Sequence, residues 1–88
     1  MKAEFKSSFL RDLKAIKDQA LLSRIRTTIE EIELAPTIQE INNLTKLRGA
    51  NNYFRVRVGD YRLGLLIENE TVVFVRCLNR REIYRYFP

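Results

Sequence analysis

The chain has no histidine, no tryptophan, one cysteine, two prolines and three glycines among 88 residues, and each scarcity removes a class of function. Without histidine, and with Cys77 as the single thiol, one chain cannot assemble the usual zinc ligand sets, so no metal site is expected. The same lack removes the commonest general acid–base at neutral pH and every Ser-His or Cys-His nucleophile pair. Any catalysis falls to Arg, Lys, Tyr or a carboxylate. One cysteine forbids an internal disulfide framework, and the simplest place for Cys77 is as a small buried apolar residue. Gly49, Gly59 and Gly64 fit neither a phosphate loop nor a dinucleotide fingerprint, so no cofactor is expected. No apolar run reaches membrane-spanning length and no charged-then-apolar leader is seen. A cytoplasmic protein without a membrane partner is expected.

What is abundant is arginine, and it is concentrated in the second half. Residues 1–45 carry seven basic and seven acidic side chains, whereas residues 46–88 carry nine basic and four acidic, so the whole net charge of +5 lies in the later half. Eight of those nine basic residues are Arg, whose planar five-donor fork suits phosphate oxygens and base stacking better than the point charge of Lys. The expected partner is a polyanion rather than a neutral metabolite.

The patterning predicts one domain over 1–88 of the α+β class. A chain this short buries roughly 60–65% of its unfolded surface, which disfavours a deep cavity and makes a groove or open sheet face the place for chemistry. Lys2 to Lys6 reads as an edge strand. Ser7 or Ser8 offers an N-cap before Phe9, Leu10, Leu13 and Ile16 at helical spacing, and a second stripe runs through Leu21, Leu22, Ile25, Ile29 and Ile32 to a stop at Pro36. The short junction predicts an antiparallel helix hairpin with both stripes on one sheet face. Thr37 to Asn52 reads as a connector with a capping-box-like turn at Thr37–Glu40. Three strands follow, Tyr53–Val58, Tyr61–Glu68 and Thr71–Leu78, joined by turns at Gly59-Asp60 and Asn69-Glu70. An antiparallel meander results, helices on one face and the other face free for a ligand. Asn79–Pro88 is a basic aromatic tail.

On the first meander strand, Phe54, Val56 and Val58 alternate with Tyr53, Arg55 and Arg57. Arg55 and Arg57 therefore share a face, roughly 7 Å apart, near the phosphate repeat of a nucleic-acid strand. Arg62 lies just past the turn, and Arg80, Arg81 and Tyr84 stand at the end of the last strand. A solvated face whose arginines deter edge pairing is the plainer alternative. Tyr84 could stack on a base or move a proton, or equally pack under the tail with its hydroxyl in water; Tyr53, Tyr61 and Tyr86 read as core or rim aromatics.

The order of a helix hairpin, Lys46-Leu47-Arg48-Gly49, Phe54-Arg55-Val56-Arg57-Val58, Asp60-Tyr61-Arg62-Leu63, Val72-Val73-Phe74-Val75 and Asn79-Arg80-Arg81-Glu82-Ile83-Tyr84 resembles the RelE/ParE superfamily of type II toxin–antitoxin toxins. The resemblance implies a β-α-α-β-β-β core, with the hairpin packed on one face of a mainly antiparallel sheet. It implies a cognate antitoxin partner whose C-terminal segment wraps the toxin. For the RelE-like branch, favoured here, it implies metal-free cleavage of mRNA on the ribosome by 2′-hydroxyl attack on the adjacent phosphate. Arg55, Arg57, Arg62, Arg80 or Arg81, and Tyr84 match the family's catalytic positions, and Lys46, Arg48 and Arg76 are assigned to RNA contact. RelE-like proteins carry lysine where Arg55 and Arg57 stand, and many carry histidine at the place of Asn79. Arginine rarely gives up its proton, which leaves Tyr84 as base or base-stacking platform. A ParE-like toxin that binds DNA gyrase, and a non-catalytic RNA-binding module, are the alternatives.

Overall fold

The computed structural model describes residues 1–49 and 51–88. Strand β1 (Lys2–Phe5) leads into helices α1 (Ser7–Lys14) and α2 (Gln19–Leu34), a 3₁₀ turn (Ile38–Glu40), strands β2 (Leu44–Lys46), β3 (Tyr53–Val58), β4 (Tyr61–Glu68) and β5 (Thr71–Asn79), and the short helix α3 (Ile83–Tyr86). The five strands form one sheet in the order β1-β5-β4-β3-β2, parallel only where β1 meets β5. This is the expected α+β arrangement. None of the described helices is long and apolar enough to cross a membrane.

The helices bury one face of the sheet. Phe9 from α1, Ile16 just after it, and Ile25 and Ile32 from α2 pack with Val56, Val58, Leu63, Leu65, Ile67, Val72, Phe74 and Cys77 in one cluster. Phe74 is centred between Phe5, stacked at 5.0 Å, and Phe9, tilted at 5.3 Å. No polar or charged residue is buried among the described residues, so this core is held by apolar burial without polar desolvation costs.

Asp18 caps α2 by accepting from the Leu21 N–H at 3.1 Å, and the helix stops one residue short of Ala35-Pro36 because the ring of Pro disfavours helix before it. The β4–β5 turn gives both Asn69 and Glu70 positive φ, 49° and 66°, the backbone twist that matches paired strands.

Two expectations need correction. The expected Ser7 or Ser8 cap is absent: Lys6 is the N-cap, without a side-chain bond. Ser8 instead donates its hydroxyl to the Val75 carbonyl at 2.6 Å. The reason is the length of β1, whose pairing with β5 ends at Phe5↔Phe74. Beyond it α1 runs along the bare edge of β5, and its side chains complete the ladder, Ser8 on Val75 and Asp12 accepting from the Cys77 N–H at 2.9 Å. The expected connector over 37–52 also contains a strand, because β2 pairs with β3 through Leu44↔Val56, Thr45↔Arg55 and Lys46↔Phe54. Three residues are too few to show alternation.

Candidate nucleic-acid interface

The face of the sheet turned away from the helix hairpin carries the arginines. Register pairs Arg57 with Arg62 and Arg55 with Gly64 across β3 and β4, and cross-strand partners point to the same side. Arg57 is exposed, while Arg55 and Arg62 are half-buried. Each has a fixed neighbour. The Arg55 guanidinium lies 4.5 Å from the centroid of the Tyr84 ring, within cation–π range. Arg62 donates from Nη1 to the carbonyls of Gly59 and Tyr61 at 3.0 and 2.9 Å, and Arg57 reaches Asn43 Oδ1 at 3.4 Å.

Arg80 and Arg81 are exposed in the turn between β5 and α3. The Arg80 N–H donates to the Asp60 carbonyl at 2.7 Å, and the Arg81 N–H to Asn79 Oδ1 at 3.0 Å. The first bond ties this turn to the Gly59-Asp60 turn, beside Arg62. Arg55, Arg57, Arg62 and Tyr84 therefore share one face, with Arg80 and Arg81 at its end.

The three residues assigned to RNA contact are held apart from these, although Arg76, the β5 partner of Gly64, points to the same side of the sheet as Arg55. Arg76 makes a bidentate ion pair with Asp12, Nε to Oδ2 at 2.8 Å and Nη2 to Oδ1 at 3.1 Å. That hydrogen bond raises its pKa further, against an opposing effect of burial. Its donors already hold α1 to the sheet edge. Lys46 pairs with Phe54 and so stands on the helix side of the sheet, opposite Arg55, and Arg48 lies exposed in the turn after β2.

The face expected to be free is partly covered. The segment after β5 folds back across it, burying Ile83 completely and Phe87 to 6% exposure, apart from the main core. Phe87 lies against Gly64 and meets the Tyr53 ring edge-on at 5.6 Å. Tyr84, between the two buried residues, remains 69% exposed. Phe87 was missed as a site neighbour, although the glycine in the middle of β4 is a signal that something approaches the strand closely.

On the described residues the arrangement can grip phosphate with Arg57, Arg62 and the Arg80–Arg81 turn while offering an aromatic ring. No group of His, Cys, Asp and Glu side chains able to hold a metal is found among them.

A family model for the ParE toxin of the type II toxin–antitoxin system parDE matches residues 3–84. The toxin RelE3 of Methanocaldococcus jannaschii is 37% identical over 89 aligned positions that cover all of both chains. The toxin of the RelB–RelE antitoxin–toxin complex from Methanococcus jannaschii superimposes with a TM-score of 0.81 at 35% identity, over 97% of this chain and 99% of that one. An archaeal RelE–RelB complex from Pyrococcus horikoshii OT3 gives 0.72 at 19% identity, over 90% and 93% of the two chains, a likeness of fold.

Proposed function

The chain belongs to the RelE/ParE family of type II toxin–antitoxin toxins, in its RelE-like branch, and from that premise we propose that it is a metal-independent mRNA endonuclease acting on the ribosome and silenced by a cognate antitoxin. The observation that carries the reading is a charge imbalance on one face. Among the described residues Arg76–Asp12 is the only salt bridge, so Arg55, Arg57, Arg62, Arg80 and Arg81 have no carboxylate partner there. Charges left unpaired beside an exposed tyrosine suit a phosphate backbone with an unstacked base.

In the proposed reaction the 2′-oxygen attacks the adjacent phosphorus, the bond from phosphorus to the 5′-oxygen breaks, and a 2′,3′-cyclic phosphate forms. The 2′-hydroxyl loses a proton and the departing 5′-oxygen gains one. Arg57, Arg62 and Arg80 or Arg81 hold the phosphate oxygens as charge builds on them, each well-placed donor contributing about 3–4 kcal/mol. Arginine stays protonated throughout. Tyr84 is the member of the set that can exchange a proton, and its exposed ring, braced by Arg55, is a platform for the base next to the cut. The ribosome holds the RNA in line.

A second reading, binding of DNA gyrase without RNA cleavage, is favoured by the match to the ParE model and by Asn79 at a position where RelE-like proteins often carry histidine. Brief induction separates the two. The ribonuclease stops protein synthesis first and leaves mapped 5′ ends at fixed codon positions in primer extension of mRNA. Arrest of replication first, with intact mRNA, would overturn the proposal in favour of gyrase, and unimpaired growth without the antitoxin would favour the non-catalytic module.

A further inference from the structure

Gly64 lies in the interior of β4, where the lack of a side chain weakens a strand. The reason for it lies directly above. A Cβ at this position would sit 2.7 to 2.8 Å from Cδ1, Cε1 and Cγ of Phe87, closer than non-bonded carbon atoms approach one another. The Phe87 ring fills the space that a side chain at residue 64 would take.

This contact is placed where it can control Tyr84. Helix α3 is a single turn of four residues, too short to hold itself together, so the order of Tyr84 must come from what flanks it. Ile83 and Phe87, four residues apart, are the two buried residues of the segment, and the Phe87 N–H donates to the Ile83 carbonyl at 2.9 Å. Gly64 is also the cross-strand partner of Arg55, whose guanidinium lies over the Tyr84 ring. The floor of the Phe87 seat and the arginine that braces Tyr84 are thus neighbours in the sheet.

We propose that Gly64 and Phe87 form a steric latch that positions Tyr84 against Arg55, which makes both of them positioning residues for the RNA site. The functional half of this inference rests on the ribonuclease reading. The latch itself does not, because it is a statement about where the ring of Tyr84 sits. A methyl group at residue 64 forces Phe87 out of its seat, and the turn then loses one of its two anchors while the helix-side core is untouched.

The test uses the whole protein as Gly64→Ala, Phe87→Ala and the double variant Gly64→Ala with Phe87→Ala, in which the methyl meets no ring. Three quantities are read: the ring-current shift of the Arg55 side-chain resonances without RNA, arrest of translation in a cell-free lysate, and the thermal melt. Gly64→Ala is expected to lose the shift and about 100-fold in arrest potency, the order of loss that a displacement near 1 Å produces. The double variant is expected to lose no more than Gly64→Ala alone, because both substitutions act through one contact. Phe87→Ala, which leaves β4 intact, should reproduce the loss in a protein that still unfolds in one cooperative transition. Retention of both shift and potency in Phe87→Ala overturns the latch, as does a double variant whose loss is the sum of the two single losses. A wild-type protein that leaves the lysate translating overturns the ribonuclease reading alone, and the Arg55 shift then decides the latch.

Discussion

The two faces of the sheet are built from the same strands by alternate residues, yet they have little in common. On the helix side Val56, Leu63, Leu65, Phe74 and Cys77 are buried without a charge among them. On the other side Arg55, Arg57 and Arg62 carry charge with no carboxylate partner among the described residues, and the apolar cover is limited to Ile83 and Phe87. Strand alternation lets one segment serve stability and binding without compromise between them. The difference teaches that a residue's side of the sheet, more than its position in the chain, should decide whether its loss is felt in folding or in function.

The largest effect expected from that division is on the helix side. Phe74→Ala removes a fully buried ring from between Phe5 and Phe9 and should cost about 3–5 kcal/mol in denaturant unfolding. A small domain has few such units to lose. On the opposite face, Arg62→Ala should lower arrest of translation about 10²–10³-fold. Its hydrogen bonds to the Gly59 and Tyr61 carbonyls make the stability cost about 1 kcal/mol. An Arg62→Ala protein with full potency and a normal melt would break the comparison outright.

How far this division could be read in advance differs between the faces. The strands Tyr53–Val58 and Tyr61–Glu68 have the expected bounds, and β5 runs one residue past Leu78 to Asn79, because alternation and turn residues are local signals. The stripes of α1 and α2 were legible for the same reason, except that Leu10, expected on the first, is 47% exposed and Ile16 lies past the end of α1. Three features were not. Strand β2 is too short for a period, Ser8 and Asp12 bond across more than sixty residues to a strand edge, and the segment after β5 folds back through contacts with Gly64 and Tyr53. Each depends on which distant residue lies opposite, which no window of neighbouring residues contains. Arg76 shows the cost to site prediction: it sits in the arginine pattern, yet its donors go to Asp12.

Asp12 stands at the seam between the two faces, and the next effect in size sharpens the boundary there. Asp12→Ala removes the partner of Arg76 and the acceptor for the Cys77 N–H together. The expected cost is about 2–3 kcal/mol in unfolding, with the potency of the protein that remains folded unchanged. Loss of potency per folded molecule would mean that the Arg76–Asp12 pair takes part in the RNA site, and would move the boundary past β5.

The smallest effect is absent at neutral pH and grows only in alkali. Cys77 is buried against the helix side, and burial first, with the Asp12 carboxylate second, pushes its thiol from an ordinary 9.0 up to about 12. A raised pKa means the folded protein holds the proton more tightly than the unfolded chain does. The stabilising contribution is therefore complete below pH 9 and is lost as pH rises toward the folded value, at about 1.4 kcal/mol per pH unit. Comparing unfolding of the wild type with Cys77→Ala isolates this slope from the other groups that titrate in alkali. The difference between the two should stay flat to pH 9 and then fall. A difference that already falls near neutral pH would reveal an ionisable thiol on the helix side, and with it a reactive group on the face assigned to stability alone.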